Sequence, residues 1–424
     1  MPKLLNNLLQ QDRVHLIISC LIFPICLQTS LFCFFCFLGL RILLFDIREL
    51  GHQSGKLTQL LKITIVIAIA VAIKEFYEES QLQGYPVSYY DYLLIFITIL
   101  IVKIYPFQKK EIRQICYAIA VSPIIVFIVY FPILDFSLRN HWGFNNPNWL
   151  GFYCSICIPL VFCQILDYYF GRENNRLVKY KKAALASLTL LTLSLLICLI
   201  MIVSSGSRSC LYTSAVIVTV ILCLQSNSYR RSPVKNKINS SRKIENILFV
   251  NSFIMLFGLL FKFVLVKFAF LTRFIELGNS TNIYRVKIYQ CYLQYGLEKP
   301  WWGWGFNRTA ALREEKLRAK YAGVNHAHNF ILQLFADNGF IIAACFLFVL
   351  AYFIIVPIFA SIVNGNFSPD DNLRLGINLA SLSIIIISLF QSALYHYPLF
   401  PLWTRLLWGF QLTINRQQKK HLLL

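Results

Sequence analysis

A short polar stretch, residues 325–333, stands out in a very apolar chain because its side chains could carry acid–base chemistry. It holds two histidines, His326 and His328, together with asparagine and glutamine side chains. A neutral imidazole near a membrane surface can accept a proton from a hydroxyl group at neutral pH, so either histidine is a candidate general base. Either one could instead be an interfacial polar residue without a catalytic role. The H-x-H pattern has no nearby carboxylate or cysteine cluster, which disfavours a metal site.

The same stretch predicts the start of a helix. Asn325 is expected to cap this helix, and Gly339 is suited to its end. On such a helix Asn329 would lie one turn from His326, and Gln333 one turn from Asn329. The polar side chains would then share one helical face with the imidazole.

Three cations could complement these histidines by binding an anion at the membrane surface. Arg208 falls in a short polar break between two apolar segments, and Arg285 lies near the start of a helix predicted at Asn279–Glu298. Lys74 lies near the outer end of another apolar segment, beside Glu75. A guanidinium fork pairs bidentately with phosphate, so the arginines are candidates for holding a lipid-linked diphosphate, with Lys74 as a third cation. The alternative for each is a cation whose stem lies along the apolar layer while its charge reaches water.

The segment Pro300–Phe306 is rich in tryptophan and breaks the predicted helix sharply. Tryptophans close to a membrane usually mark the headgroup layer. An indole face can also stack on a sugar ring, so Trp304 is a candidate substrate contact as well as a packing residue.

Composition predicts the elements that must position these groups. The 424 residues are 57% hydrophobic and 14% charged, with a mean hydropathy of +0.60, which indicates a polytopic membrane protein. We predict an all-α membrane fold with about twelve transmembrane helices. The predicted spans are residues 14–28, 30–45, 60–76, 88–105, 112–131, 149–169, 183–203, 210–224, 246–268, 339–361, 375–394 and 399–415.

This pattern divides the chain into three parts. Residues 1–268 carry nine spans, residues 269–338 form one long outer loop, and residues 339–424 carry three spans and a basic tail. The formal net charge is +21, and the basic residues cluster in loops that alternation places on the inner side. Because no nucleic-acid-binding motif is present, we interpret these charges as topology determinants and expect no nucleic-acid partner. The outer side then collects the 132–148 loop, the Arg208 turn and the long loop.

The cysteines fit this picture of an apolar scaffold. Most of the 13 lie in predicted spans, including Cys154 and Cys157 of a C-x-x-C pattern that has no second pair. We therefore expect them to pack in the helix bundle, without a disulfide framework.

The order of these motifs resembles the O-antigen ligase family, which also contains O-antigen and exopolysaccharide polymerases. The resemblance rests on the Ser-Gly-Ser-Arg turn at 205–208, an outer loop that opens with Arg285, and the Pro-Trp-Trp-Gly-Trp-Gly-Phe run at 300–306. It continues with His-Ala-His-Asn-Phe-Ile-Leu-Gln at 326–333 and Asp-Asn-Gly at 337–339. The polar loop around Asn146 also looks like a family feature.

The resemblance implies a metal-independent, inverting glycosyltransferase of the GT-C kind, without a cofactor, in the bacterial inner membrane. The donor would be a glycan on undecaprenyl diphosphate, and the acceptor a sugar hydroxyl of a lipid or glycan on the periplasmic face. Arg208 and Arg285 would neutralise the leaving diphosphate, aided by Lys74. His328 would activate the acceptor hydroxyl with His326 in support. Residues that would contact substrate are Asn329, Trp304 and Asn146.

Two other functions remain open at this point. A polymerase would use the same chemistry with a growing chain as acceptor. A solute transporter, such as one for bicarbonate, is the alternative from another class, and transporters tend to carry charged or broken helices at mid-membrane depth. The charges here are predicted at the outer edge instead, which favours glycosyl transfer.

Overall fold

The computed structural model describes residues 109–133, 147–170, 181–231, 280–305, 327–356 and 369–391, together with residues 358, 359, 407 and 410. Every regular element in these ranges is helical. The α-helices are α1 (Lys109–Tyr130), α2 (Pro147–Phe170), α3 (Lys181–Ser205), α4 (Arg208–Arg231), α5 (Ser280–Glu298), α6 (Phe330–Leu350) and α7 (Pro369–Gln391). A 3-10 turn, Phe131–Ile133, follows α1, and a π-helical turn, Ala351–Ile355, follows α6.

Four of the described helices are long and apolar enough to cross a membrane. They are Lys109–Tyr130, Pro147–Asp167, Leu185–Ser205 and Asn372–Gln391. These correspond to the spans predicted at 112–131, 149–169, 183–203 and 375–394, so the prediction of an all-α membrane protein is confirmed for this part of the chain. The spans predicted before residue 109, at 246–268 and for most of 399–415 lie outside the described residues, as does the total of twelve.

The helix α2 lies at the centre of the described bundle. Of its most apolar stretch, 94% is buried, against 50% in α1 and in α3. The reason lies in its sequence, which is apolar on all sides, and such a helix is stable only when neighbours cover every face. It packs against α1, α3, α4 and α7.

Close contacts at the two ends of α2 fix its neighbours. At the start of α2, a Cβ added to Gly151 would lie 2.8 Å from the Cys210 Sγ and 3.1 Å from the Ser207 Cβ, so glycine allows α4 to begin directly against α2. Near the other end, the Asn372 Nδ2 donates a 2.7 Å hydrogen bond to the Asp167 Oδ1 and joins α7 to α2. The position of the first turn of α4 is therefore set by α2.

A second, smaller hydrophobic cluster lies between α5 and the first half of α6. Its buried members are Ile288, Cys291, Tyr292, Tyr295, Ala327 and Ala336. Ile288, Tyr292 and Tyr295 lie on one face of α5, and the helix predicted at Asn279–Glu298 is confirmed as Ser280–Glu298. Gly296 lets the Phe335 ring approach, because a Cβ there would lie 2.2 Å from a ring carbon.

The described cysteines pack inside the helices, as predicted. Cys116, Cys154, Cys157, Cys163, Cys198, Cys210 and Cys291 are all buried. Within the described ranges, no group of three or more His, Cys, Asp or Glu side chains is arranged to hold a metal ion.

Candidate functional site

Arg208 is the first residue of α4 and follows a tight turn. Gly206 occupies the left-handed region with φ 62° and donates a 3.0 Å hydrogen bond to the Val203 carbonyl. The Ser207 amide then donates to the Ser205 Oγ at 3.2 Å. The break predicted between two spans is therefore a two-residue turn, and it places the half-buried Arg208 side chain at the end of the bundle.

The last residue of α7 reaches this same turn. The Gln391 Nε2 donates a 3.1 Å hydrogen bond to the Ser209 Oγ, next to Arg208. Because Gln391 is buried, the bond fixes the end of α7 against the start of α4. Three helices, α3, α4 and α7, therefore meet where the arginine emerges.

Arg285 comes to the same region from the long loop. Burial lowers the pKa of the Arg285 guanidinium, the neighbouring Tyr289 raises it, and the positive charge of Arg208 lowers it further. A guanidinium still stays protonated at neutral pH. The charge of Arg208 therefore acts on the Arg285 guanidinium, although the two residues are far apart in the sequence.

Tyr289 connects Arg285 to the histidine turn. It lies one helical turn after Arg285 on α5, is half-buried, and donates a 3.4 Å hydrogen bond from its hydroxyl to the His328 carbonyl. Burial raises the pKa of the Tyr289 phenol, and the positive charge of Arg285 opposes this. Tyr289 is not among the residues predicted from the sequence, although its four-residue spacing from Arg285 places both on one helical face.

His328 lies in a turn that is held from both sides. Its neighbour Ala327 is buried in the small cluster with α5, whereas Phe330 is buried in the main core of the bundle. His328 itself has φ 52°, an uncommon value for a residue other than glycine. Its ring is half-buried, with the Nδ1 atom on the buried side. Such a conformation persists where the surroundings fix it, as the two buried neighbours do here.

The prediction that Asn325 caps the following helix is wrong, because Asn329 is the N-cap of α6. Its extended backbone precedes Phe330, and its Oδ1 accepts hydrogen bonds from the Ile331 amide at 3.0 Å and the Leu332 amide at 3.2 Å. The left-handed backbone of His328 prevents the helix from starting earlier.

The predicted positions of Asn329, Gln333 and Gly339 relative to this helix are confirmed only in part. Asn329 is not inside a helix, so it cannot share a helical turn with His326, which itself lies outside the described residues. Gln333 does lie one turn after Asn329, and its backbone amide donates to the Asn329 carbonyl at 3.0 Å. Gly339 ends the first half of the helix as predicted, with φ 77° and ψ 176°, and a second helical half follows the kink, where the sequence predicts a span at 339–361.

Gln333 ties the histidine turn to the helix that follows it. Its Oε1 accepts a 2.7 Å hydrogen bond from the Ala327 amide, and its Nε2 donates a 2.8 Å hydrogen bond to the Asp337 Oδ2. Both Gln333 and Asp337 are fully buried. The Gln333 side chain therefore provides hydrogen-bond partners for the Ala327 amide and the Asp337 carboxylate, which are buried away from water.

The tryptophan-rich turn lies directly against the kink in α6. The Trp304 amide donates to the Ala336 carbonyl at 3.0 Å, and the Gly305 amide donates to the Asp337 carbonyl at 2.8 Å. A Cβ added to Gly303 would lie 2.4 Å from the Asp337 carbonyl oxygen. Backbone therefore packs on backbone here, and the turn cannot shift without the first half of α6.

The Trp304 side chain is held by the same turn. Its Nε1 donates a 2.9 Å hydrogen bond to the Tyr295 carbonyl, and the Lys299 Nζ lies 4.0 Å from its ring centroid. The Tyr295 ring meets it edge-on, with centroids 6.4 Å apart. These contacts make Trp304 a packing residue, and its contact with a sugar stays a prediction.

The structure thus brings together one part of the predicted site. Arg285 interacts electrostatically with Arg208 and is linked through Tyr289 to the His328 carbonyl. Asn329 caps the helix that follows, and Trp304 packs against that helix. The other predicted site residues, Lys74, His326 and Asn146, lie outside the described residues.

A comparison with protein families matches residues 193–347 to the family described as O-Antigen ligase. The predicted resemblance to the O-antigen ligase family is confirmed. The matched stretch contains Arg208, Arg285, Trp304 and residues 326–329, whereas Lys74 and Asn146 fall outside it. The match implies a glycosyltransferase of the ligase or polymerase type that acts on lipid-linked glycans in a membrane. No curated protein matches the chain.

We predict that Gln333→Leu lowers the thermal unfolding temperature. The substitution removes a hydrogen bond from the buried Ala327 amide and another from the buried Asp337 carboxylate, a loss of about 1–3 kcal/mol for each group. Thermal unfolding of the detergent-purified protein measures the effect. Gln294→Leu is the matched control, because Gln294 is exposed on α5 and the same change there leaves the unfolding temperature unaltered.

Gln333→Glu extends this test to pH. At neutral pH the introduced carboxylate faces the Asp337 carboxylate and repels it, whereas at acid pH a proton on one of the two carboxyl groups restores a hydrogen bond between them. The variant is therefore less stable than wild type at neutral pH, and the difference shrinks as the pH falls. An unfolding temperature of Gln333→Leu equal to that of wild type would contradict the role assigned to Gln333.

Proposed function

We propose that this protein transfers a glycan from an undecaprenyl-diphosphate donor to a sugar hydroxyl of a lipid or glycan acceptor. The reaction takes place at the periplasmic face of the bacterial inner membrane. The observation that carries the proposal is the convergence of Arg208, Arg285 and the His328 turn within the stretch that matches the O-antigen ligase family.

The arginine pair suits the leaving group of this reaction. Two positive charges held close together and partly out of water repel each other, and an anion between them relieves the repulsion. A diphosphate develops negative charge as the bond to the sugar breaks, and fixed guanidinium groups stabilise that charge without reorganising. In this proposal the arginines supply the positive charge, so the transfer needs no metal ion, and Lys74 adds a third cation.

His328 acts as the general base. As the acceptor oxygen attacks the anomeric carbon, its proton passes to the His328 imidazole, and the bonding electrons of the breaking C–O bond leave with the diphosphate. Attack from the side opposite the diphosphate inverts the anomeric configuration. Tyr289 holds the His328 backbone in place through the carbonyl, and His326 supports the base.

The remaining predicted residues are proposed to hold the substrates. Asn329 uses Oδ1 to cap α6, so its contact with a sugar would be made by the amide Nδ2. The half-buried Trp304 ring and Asn146 would add further contacts to the sugars.

Deletion of the gene, followed by analysis of surface and lipid-linked glycans, tests the proposed activity. Loss of a ligase leaves polymer on its lipid carrier and no polymer on the acceptor. A polymerase uses the same chemistry, and its loss leaves single repeat units on the carrier. Unchanged glycans together with altered solute uptake would reject glycosyl transfer and favour a transporter.

We expect Arg285→Ala to reduce glycan transfer by about 100-fold or more, the usual loss when one group that stabilises developing charge is removed. Arg285→Lys retains part of the rate, because lysine supplies charge without the bidentate fork. Lys287→Ala is the matched control, since Lys287 is an exposed cation two residues further along the same helix. Transfer from a purified lipid-diphosphate-linked glycan is measured. Equal losses in Arg285→Ala and Lys287→Ala would show that only general surface charge matters.

His328→Asn separates the chemistry of His328 from its backbone conformation. Asparagine tolerates a φ of 52° better than most residues, yet it cannot accept the proton. We expect a loss of about 100- to 10,000-fold in the transfer rate, with an unchanged unfolding temperature and unchanged donor binding. A wild-type rate in His328→Asn would rule out His328 as the base.

A further inference from the structure

Three exposed aromatic side chains, Trp301, Trp302 and Phe340, lie at the Gly339 kink of α6 and are called the aromatic corner here. Trp301 is 60% exposed, Trp302 is 69% exposed, and Phe340 is 58% exposed. The Trp301 and Phe340 rings meet edge to face with centroids 6.5 Å apart. A contiguous group of large apolar side chains on a surface marks a place where something other than water is bound.

The backbone of the aromatic corner is packed directly against the kink in α6. A Cβ added to Gly339 would lie 2.2 Å from the Trp301 carbonyl oxygen, so the two backbones are in direct contact. The Phe340 amide also donates a 2.6 Å hydrogen bond to the Pro300 carbonyl. The backbone positions of Trp301 and Phe340 are therefore fixed relative to each other.

The corner continues into a long exposed apolar face. Beyond the Gly339 kink, the exposed large apolar side chains are Phe340, Ile341, Ile342, Leu347, Phe348, Ile355, Val356 and Phe359. Phe340 and Phe359 are separated by 19 positions in the sequence, which corresponds to about 30 Å at a helical rise of roughly 1.5 Å per residue. The hydrocarbon core of a bilayer is also about 30 Å thick. The face thus has the length of a lipid-facing span, and the aromatic corner lies at one end of it.

We propose that Trp301, Trp302 and Phe340 insert into the interfacial layer of the outer leaflet and anchor the long loop to the phospholipid bilayer. Indole suits this layer because its ring is apolar while its N–H still finds polar partners. The anchor is rigidly joined to the first half of α6, which carries the His328 turn. It therefore holds that turn at a fixed depth relative to the lipid surface.

Tryptophan fluorescence quenching tests this anchor on the full chain in nanodiscs of phosphatidylethanolamine and phosphatidylglycerol. The lipids carry bromine close to the headgroup end of the acyl chain, and acrylamide serves as the aqueous quencher. The double variant Trp301→Phe/Trp302→Phe is expected to lose the lipid-quenched part of the emission that two of the seven tryptophans supply. Trp304→Phe is the matched control, because that ring is packed between Lys299 and Tyr295, and it leaves most lipid quenching in place.

Emission from Trp301 and Trp302 that acrylamide quenches and brominated lipid does not would overturn the proposal, because the corner would then face water or a partner protein. Tryptophan-to-phenylalanine changes keep most of the apolar volume, so the variants fold. The readout needs no glycan turnover. The experiment can therefore reject the membrane anchor without bearing on the proposed glycan transfer, and the transfer assays can fail without bearing on the anchor.

Discussion

The arrangement depends on a single turn that is buried at both ends. Ala327 belongs to the cluster between α5 and α6, and Phe330 belongs to the core of the membrane bundle. The packing of these two side chains in separate clusters fixes the left-handed backbone of His328 between them. The Asn329 cap, the Gln333 hydrogen bonds and the Tyr289 contact all start from this turn. Side-chain packing on both sides of this turn joins the loop helix α5 to the membrane bundle.

The two arginines are positioned by different parts of the protein. Arg208 is set by contacts of the bundle, namely the close approach of α4 to Gly151 and the hydrogen bond from Gln391 to Ser209. Arg285 is set by the loop cluster through α5. Their mutual repulsion makes the region between bundle and loop favourable for an anion.

Much of the fold could be predicted from sequence, because helix length and apolar content determine which segments can cross a membrane. The tight turn before Arg208 was also predictable, as a polar break too short for a loop. The cap of α6 was not, because Asn325 and Asn329 are chemically equal and only the φ of His328 decides between them. The backbone contact between Gly303 and the Gly339 region joins distant parts of the chain, so no local pattern indicates it. Lys74, His326 and Asn146 remain predictions.

The kink at Gly339 has a consequence for how the following helix begins. A helix that restarts after a break exposes unbonded backbone N–H groups in its first turn, and in hydrocarbon each would cost several kcal/mol. Here the Phe340 N–H is satisfied by the Pro300 carbonyl from another segment. The tryptophan-rich turn therefore caps the second half of α6, although the turn lies far from Phe340 in the sequence. The loop that carries the candidate chemistry also completes the backbone hydrogen bonding of the apolar helix beside it.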